Sequence, residues 1–118
     1  MHKLILGLLV TTLLVACASG NRPLQLVSGA GPVYPPAAQA EGIEGFVTLA
    51  YDVSVSGVVE NIRVVEAEPP QIFDAAAIKA LSSWKFVPAK RDGQAIASEG
   101  RVSTISFQLG GSDAYDRY

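Results

Sequence analysis

The chain has 118 residues, with one Cys, one His and one Met. All three (Cys17, His2 and Met1) lie within the first 17 positions, so a chain processed to begin at Cys17 would have no imidazole. That excludes an intrachain disulfide, a histidine general base, a Cys–His nucleophile and nearly every zinc, copper or haem site, and no cofactor is expected. The formal charge of −2 supplies no basic surface for nucleic acid, and the length allows one small domain.

Met1-His2-Lys3 is a weakly basic start, and Leu4 to Val15 is an apolar run broken only by Gly7, Thr11 and Thr12. Twelve residues span about 18 Å as a helix, short of the ~30 Å hydrocarbon core, so residues 1–16 read as a signal peptide. Leu14-Val15-Ala16-Cys17 resembles the lipobox of bacterial lipoproteins. The resemblance implies cleavage before Cys17, lipidation of its sulfur and acylation of the new amine. Acyl chains contribute about 0.8 kcal/mol per buried CH₂, which makes such an anchor nearly permanent. Ala18 in place of Asp resembles the outer-membrane sorting pattern more than the inner-membrane one.

Residues 17–32 are rich in Gly, Ser and Pro and are expected to form a tether reaching at most about 50 Å. Leu24-Gln25-Leu26-Val27 within it has the composition of a short strand. The globular part is expected over residues 33–109, and residues 110–118 read as a disordered polar tail. Tyr34 to Gly42 opens with Pro and closes with Gly around helix formers, the layout of a short helix. Gly45 to Val55 alternates, with Val47, Leu49, Tyr51, Val53 and Val55 on one face. Ser56-Gly57 signals a hairpin. Val58 to Glu66 alternates again, with Val58, Ile62 and Val64 inward. A loop of two or four residues would pair Val58 with Val55 or Val53.

Ile72 to Trp84 predicts a helix whose stripe is Phe73, Ala77, Leu81 and Trp84, flanked by Ala76 and Ala80. Asp74 and Lys85 suit its dipole, and Pro88 is expected to stop it. Asp92-Gly93 signals a further turn. Arg101 to Leu109 alternates, with Ile105, Phe107 and Leu109 inward and Thr104, Ser106 and Gln108 outward. The expected fold is α+β: a three-stranded antiparallel sheet with two helices packed on one face. Trp84 reads as core, Glu66 and Glu68 as solvated, and Asp52 as an exposed hairpin edge. Ser82-x-x-Lys85 has the spacing of penicillin-recognising enzymes, but the S-D-N and K-T-G elements of that class are missing, and the chain reads as a non-enzyme.

The order Tyr34-Pro35, Gly42-Ile43-Glu44-Gly45-Phe46-Val47, Tyr51-Asp52-Val53, Ser56-Gly57-Val58-Val59, Phe73-Asp74-x-x-Ala77, Ser83-Trp84-Lys85-Phe86-x-Pro88 and Ile105-x-Phe107 resembles the C-terminal domain of TonB across the whole globular part. The resemblance implies a domain that binds the periplasmic side of outer-membrane receptors, an extended receptor segment adding beside the last strand. The corresponding edge here offers Arg101, Val102, Ser103, Thr104, Ser106 and Gln108, with Tyr34 and Pro35 as a second candidate contact. The implied partner is an envelope protein such as an outer-membrane TonB-dependent receptor, with the membrane reached through Cys17. Domains of this family also exchange strands as homodimers, and the sequence leaves that open.

The departures from TonB bear on function. Energy transducers of this family carry an uncleaved transmembrane helix with a functional histidine and a long Pro-rich stretch. This chain has a lipobox, a short linking segment, and Gly31-Pro32-Val33 where well-known members are Gln-rich. The leading expectation is therefore a lipid-anchored periplasmic binding module. A structural lipoprotein subunit of an envelope assembly and an atypical energy transducer stand as alternatives.

Overall fold

The structure is a computed structural model that describes residues 20–110. The signal peptide, Cys17 and residues 111–118 of the polar tail lie outside the described residues. In chain order the elements are β1 (Gln25–Ser28), α1 (Pro36–Ala40), β2 (Gly45–Val53), β3 (Val59–Glu68), α2 (Asp74–Ser82), β4 (Lys85–Val87), β5 (Ala89–Arg91), β6 (Gln94–Ile96) and β7 (Ser98–Phe107). The sheet order β3-β2-β7 is antiparallel throughout. Two small two-stranded sheets, β1-β4 and β5-β6, flank it.

The central strand follows its alternation. Val47, Leu49, Tyr51 and Val53 are all buried, and together with Ile105 and Phe107 of β7 they form the sheet's side of the core. Ala38 of α1 and Phe73, Ala77, Ala80 and Leu81 at α2 form the helical side. Antiparallel pairing with one covered face accounts for this layout.

The hairpin between β2 and β3 has neither expected register. Val53 pairs with Val59, which leaves five residues, Ser54 to Val58, in the loop. Ser54 folds that loop: its Oγ accepts the N–H groups of Ser56 (3.3 Å) and Val58 (3.2 Å), and its carbonyl accepts Gly57 N–H at 2.9 Å. Val55 and Val58, expected in the core, are instead 57% and 37% exposed, while Val59 is buried. An odd shift exchanges the faces of a strand, and irregularities opposite Thr48/Leu49 and Ala50/Asp52 then rotate β3 twice more. Asn61 lies at the second irregularity with φ +52°. Ile62 and Ala67 return toward the core, whereas Val64 stays 38% exposed.

Helix α2 ends at Ser82, short of Trp84 and well before Pro88. The hydroxyls of Ser82 and Ser83 bond back to the carbonyls of Lys79 (2.7 Å) and Ala80 (2.6 Å), serving the last turn locally. Lys85 consequently belongs to β4 rather than the helix end, and the basic residue in the last turn is Lys79. Trp84 is buried beyond the helix. Its ring meets Gly29, where an added Cβ would lie 2.4 Å from the indole Cδ1.

The segment expected to be a free tether is laid against the domain from residue 20 onward. β1 pairs with β4 through Gln25 with Val87, Leu26 with Phe86 and Ser28 with Lys85. Leu24 and Leu26 pack on the core, which supplies the burial that holds the strand in place. Because Gly29 leaves room for only a hydrogen, Gly29→Ala should displace Trp84 and cost about 1–3 kcal/mol, as overpacking does. Urea denaturation should report the loss, and a red-shifted emission from the chain's one tryptophan should report the displaced ring.

Candidate functional site

The site is the outer edge of β7. From Arg101 to Phe107 the strand pairs with β2 in unbroken register, from Tyr51 opposite Arg101 to Gly45 opposite Phe107. Its other edge carries no strand among the described residues. β3, the opposite edge of the sheet, carries the two irregularities and the left-handed Asn61 instead. Regular edges template pairing, and bulged ones resist it.

The predicted edge residues differ in exposure. Arg101, Val102, Thr104 and Gln108 are exposed, Val102 at 58%. Ser106 is half-buried opposite Phe46. Ser103 points the other way: it is buried, and its Oγ shares a 2.8 Å hydrogen bond with the Tyr51 hydroxyl. Only its backbone is therefore available at the edge. Thr104 Oγ1 and Thr48 Oγ1 share a 2.9 Å bond across the strands. Leu109, expected inward, is 38% exposed, because the strand stops at Phe107 and Glu44 Oε1 accepts Leu109 N–H at 3.0 Å. An open cleft of about 290 Å³ sits at this end, lined by Glu44, Phe46, Ser106 and Gln108 among others.

Tyr34, the second candidate contact, is held in the fold. Its ring meets those of Phe73 (centroids 5.5 Å apart) and Phe107 (5.8 Å apart) edge-on, and its hydroxyl donates to the Ile43 carbonyl. Burial, and then the Glu44 carboxylate, raise its phenol above the usual range. Pro35 is half-buried and starts α1 with extended ψ, 127°.

Asp52 was expected at an exposed hairpin edge. It lies on the central strand and ties both neighbours. Oδ1 accepts Gly100 N–H at 2.9 Å, and Oδ2 accepts the Asn61 amide at 2.9 Å. Gly100, at φ +65°, occupies the one irregularity of the β2–β7 pair, so Asp52 fixes the point where the regular edge begins. Glu44 marks its other end. The role of neither residue is visible without knowing which strand lies beside β2. Arg63 stands 3.9 Å from Asp52 and is half-exposed, so it contributes little. The Gly100 backbone bond, then the Asn61 bond, hold the Asp52 carboxyl below the usual range. Among the described residues no group of three or more His, Cys, Asp or Glu could hold a metal, and no helix is long and apolar enough to cross a membrane.

A small α+β domain with one regular edge strand, uncovered among the described residues, is the class this geometry defines. Residues 30–109 match the family described as Gram-negative bacterial TonB protein C-terminal, and the chain belongs to that family. It is 33% identical to Protein TonB of Yersinia enterocolitica over 102 residues, covering 86% of this chain and 36% of the relative. It is 35% identical to Protein TonB of Escherichia coli over 95 residues, covering 80% and 36%. The chain thus spans about a third of the length of these curated relatives. The solution NMR structure of the Pseudomonas aeruginosa TonB C-terminal domain superposes with a TM-score of 0.64 at 30% identity, covering 75% of this chain and 88% of that one. The TonB2 protein of Vibrio anguillarum superposes with a TM-score of 0.54 at 40% identity, covering 68% and 76%.

A carboxylate whose pKa is lowered by folding stabilises the native state above its unfolded pKa and ceases to do so as pH falls through its folded pKa. Asp52→Asn should therefore lower the urea midpoint at pH 7, with the gap to the parent narrowing at and below about pH 4. Equal gaps at both pH values would contradict the assignment of Asp52 as an ionised acceptor.

Proposed function

We propose that this protein is a lipid-anchored, periplasmic binding module that takes up an extended segment of an envelope partner as a fourth strand beside β7, in service of TonB-dependent transport. The observation that carries this reading is the contrast between the two sheet edges: β7 is regular over Arg101 to Phe107, while β3 is interrupted twice. Backbone groups would supply most of the affinity, and Val102, Thr104, Ser106 and the cleft beside Glu44 would select among side chains of the incoming strand. Membership of the TonB C-terminal family makes an outer-membrane receptor the leading candidate partner. The lipobox at Leu14-Val15-Ala16-Cys17 supports anchoring at the periplasmic side, with the outer membrane favoured by Ala18. The reading assigns no catalytic step to the chain.

A photo-crosslinking amino acid placed at Val102 in the native bacterium should capture an extended segment of an envelope protein, and one at Val65, 63% exposed beside the other edge, should not. Capture at Val65 with none at Val102 would move the site off β7. Cys17→Ser should abolish incorporation of labelled palmitate and release the protein from the membrane fraction. Retention of the label in that variant would show that Cys17 is not the acylated residue.

A further inference from the structure

The chain is locked to the domain almost as soon as it leaves Cys17. Gly20 carbonyl accepts Gly93 N–H at 2.8 Å, and Asn21 Oδ1 accepts Asp92 N–H at 2.9 Å. Arg22 and Lys90 exchange backbone bonds of 3.0 and 2.8 Å, and the Arg22 guanidinium donates twice to the Pro88 carbonyl, at 3.2 and 2.8 Å. The contact is close: a Cβ on Gly20 would lie 2.2 Å from Gly93 N. Residues 20–22 thus run along β5 and begin beside the Asp92-Gly93 turn that joins β5 to β6. Only Ala18 and Ser19 separate Gly20 from Cys17. Three Cα steps reach at most about 11 Å. Whatever holds Cys17 therefore holds this turn close by.

The charges near the turn differ from those on the main sheet. Lys90 and Arg91 are on β5 and Arg22 runs beside it, with Asp92 at the turn the one acidic side chain in residues 88–94. The main sheet is mixed and more acidic: β3 carries Glu60, Glu66 and Glu68 beside Arg63, β7 carries Glu99 and Arg101, and Glu44 stands just before β2. Successive strand residues face opposite sides, so Lys90 and Arg91 flank the hairpin beside its turn, and basic side chains held within reach of lipid headgroups are attracted to anionic ones.

We propose that the β5-β6 hairpin is a membrane-facing foot that sets Lys90 and Arg91 on anionic phospholipid headgroups. This rests on the reading of Cys17 as the lipid anchor. The foot fixes the domain's orientation, so β7 is presented to a partner at a set height above the membrane surface.

The test attaches the full chain through Cys17 to vesicles of phosphatidylethanolamine and phosphatidylglycerol. The protein's own acyl groups serve where the cell has added them. Where it has not, the chain's sole thiol is coupled to a maleimide lipid. A water-soluble acetylating ester then marks exposed lysines, read by mass spectrometry against the unattached chain. Lys90 should lose reactivity several-fold while Lys79, at the far end of the docked segment on α2, keeps its own. The Lys90 protection should shrink in phosphatidylcholine vesicles and in an Arg91→Glu variant whose Trp84 emission is native. Equal change at Lys90 and Lys79, or Lys90 as reactive as in solution, would overturn the proposal. A free Cys17 thiol on protein purified from its native membranes would overturn the anchor reading alone, since the coupled chain still reports on the hairpin.

Discussion

The stacking of Phe73 on Phe107 is the contact on which the rest of the structure depends. The two rings lie 4.3 Å apart at 17°, and Tyr34 closes the group edge-on against both. Phe73 opens α2, Phe107 ends β7, and Tyr34 leads into α1. One aromatic group therefore fixes the start of each helix against the end of the edge strand. Such pairs contribute about 0.5–1.5 kcal/mol beyond the area they bury. In a domain whose net stability is a small difference of large terms, that matters most where the three chain segments meet.

The candidate site inherits its regularity from this arrangement. β7 is held at one end by Phe107 in the core and by Glu44 on Leu109, and at the other by Asp52 on Gly100. From Val102 to Phe107 its side chains alternate between solvent and core, and among the described residues its backbone has one strand neighbour, β2. β3 is tied to Asp52 only through Asn61, at the second of its two bulges, and not at the ends of a regular run. The asymmetry between the edges is therefore a product of packing and of two carboxylate bonds, and it is the asymmetry that gives the strand-addition reading a direction.

Much of this was legible in the residues because periodicity is local. Val47, Leu49, Tyr51 and Val53 announce a half-buried strand, and Phe73, Ala77 and Leu81 announce a helix stripe, whatever surrounds them. The failures came where a distant segment decides the outcome. The composition of Leu24 to Val27 suggests a strand, but not that the segment is docked, because its partner Phe86 lies sixty residues after Leu26. Trp84 is buried not by helical spacing but because Gly29 leaves room for its ring. Val55 and Val58 left the core because Ser54 closes a longer loop with its own side chain, and a hydroxyl's choice of partner has no period to read. Asp52 reads as an ordinary surface acid until Gly100 is placed beside it.

The central claim is that β7 accepts a strand, and amide hydrogen exchange on the partner-bound protein tests it most directly. With the partner captured at the edge, amides of residues 101 to 107 on the free side of β7 should gain protection, while those of β3 exchange as before. Protection gained on β3 or on α2, with β7 unchanged, would contradict the account.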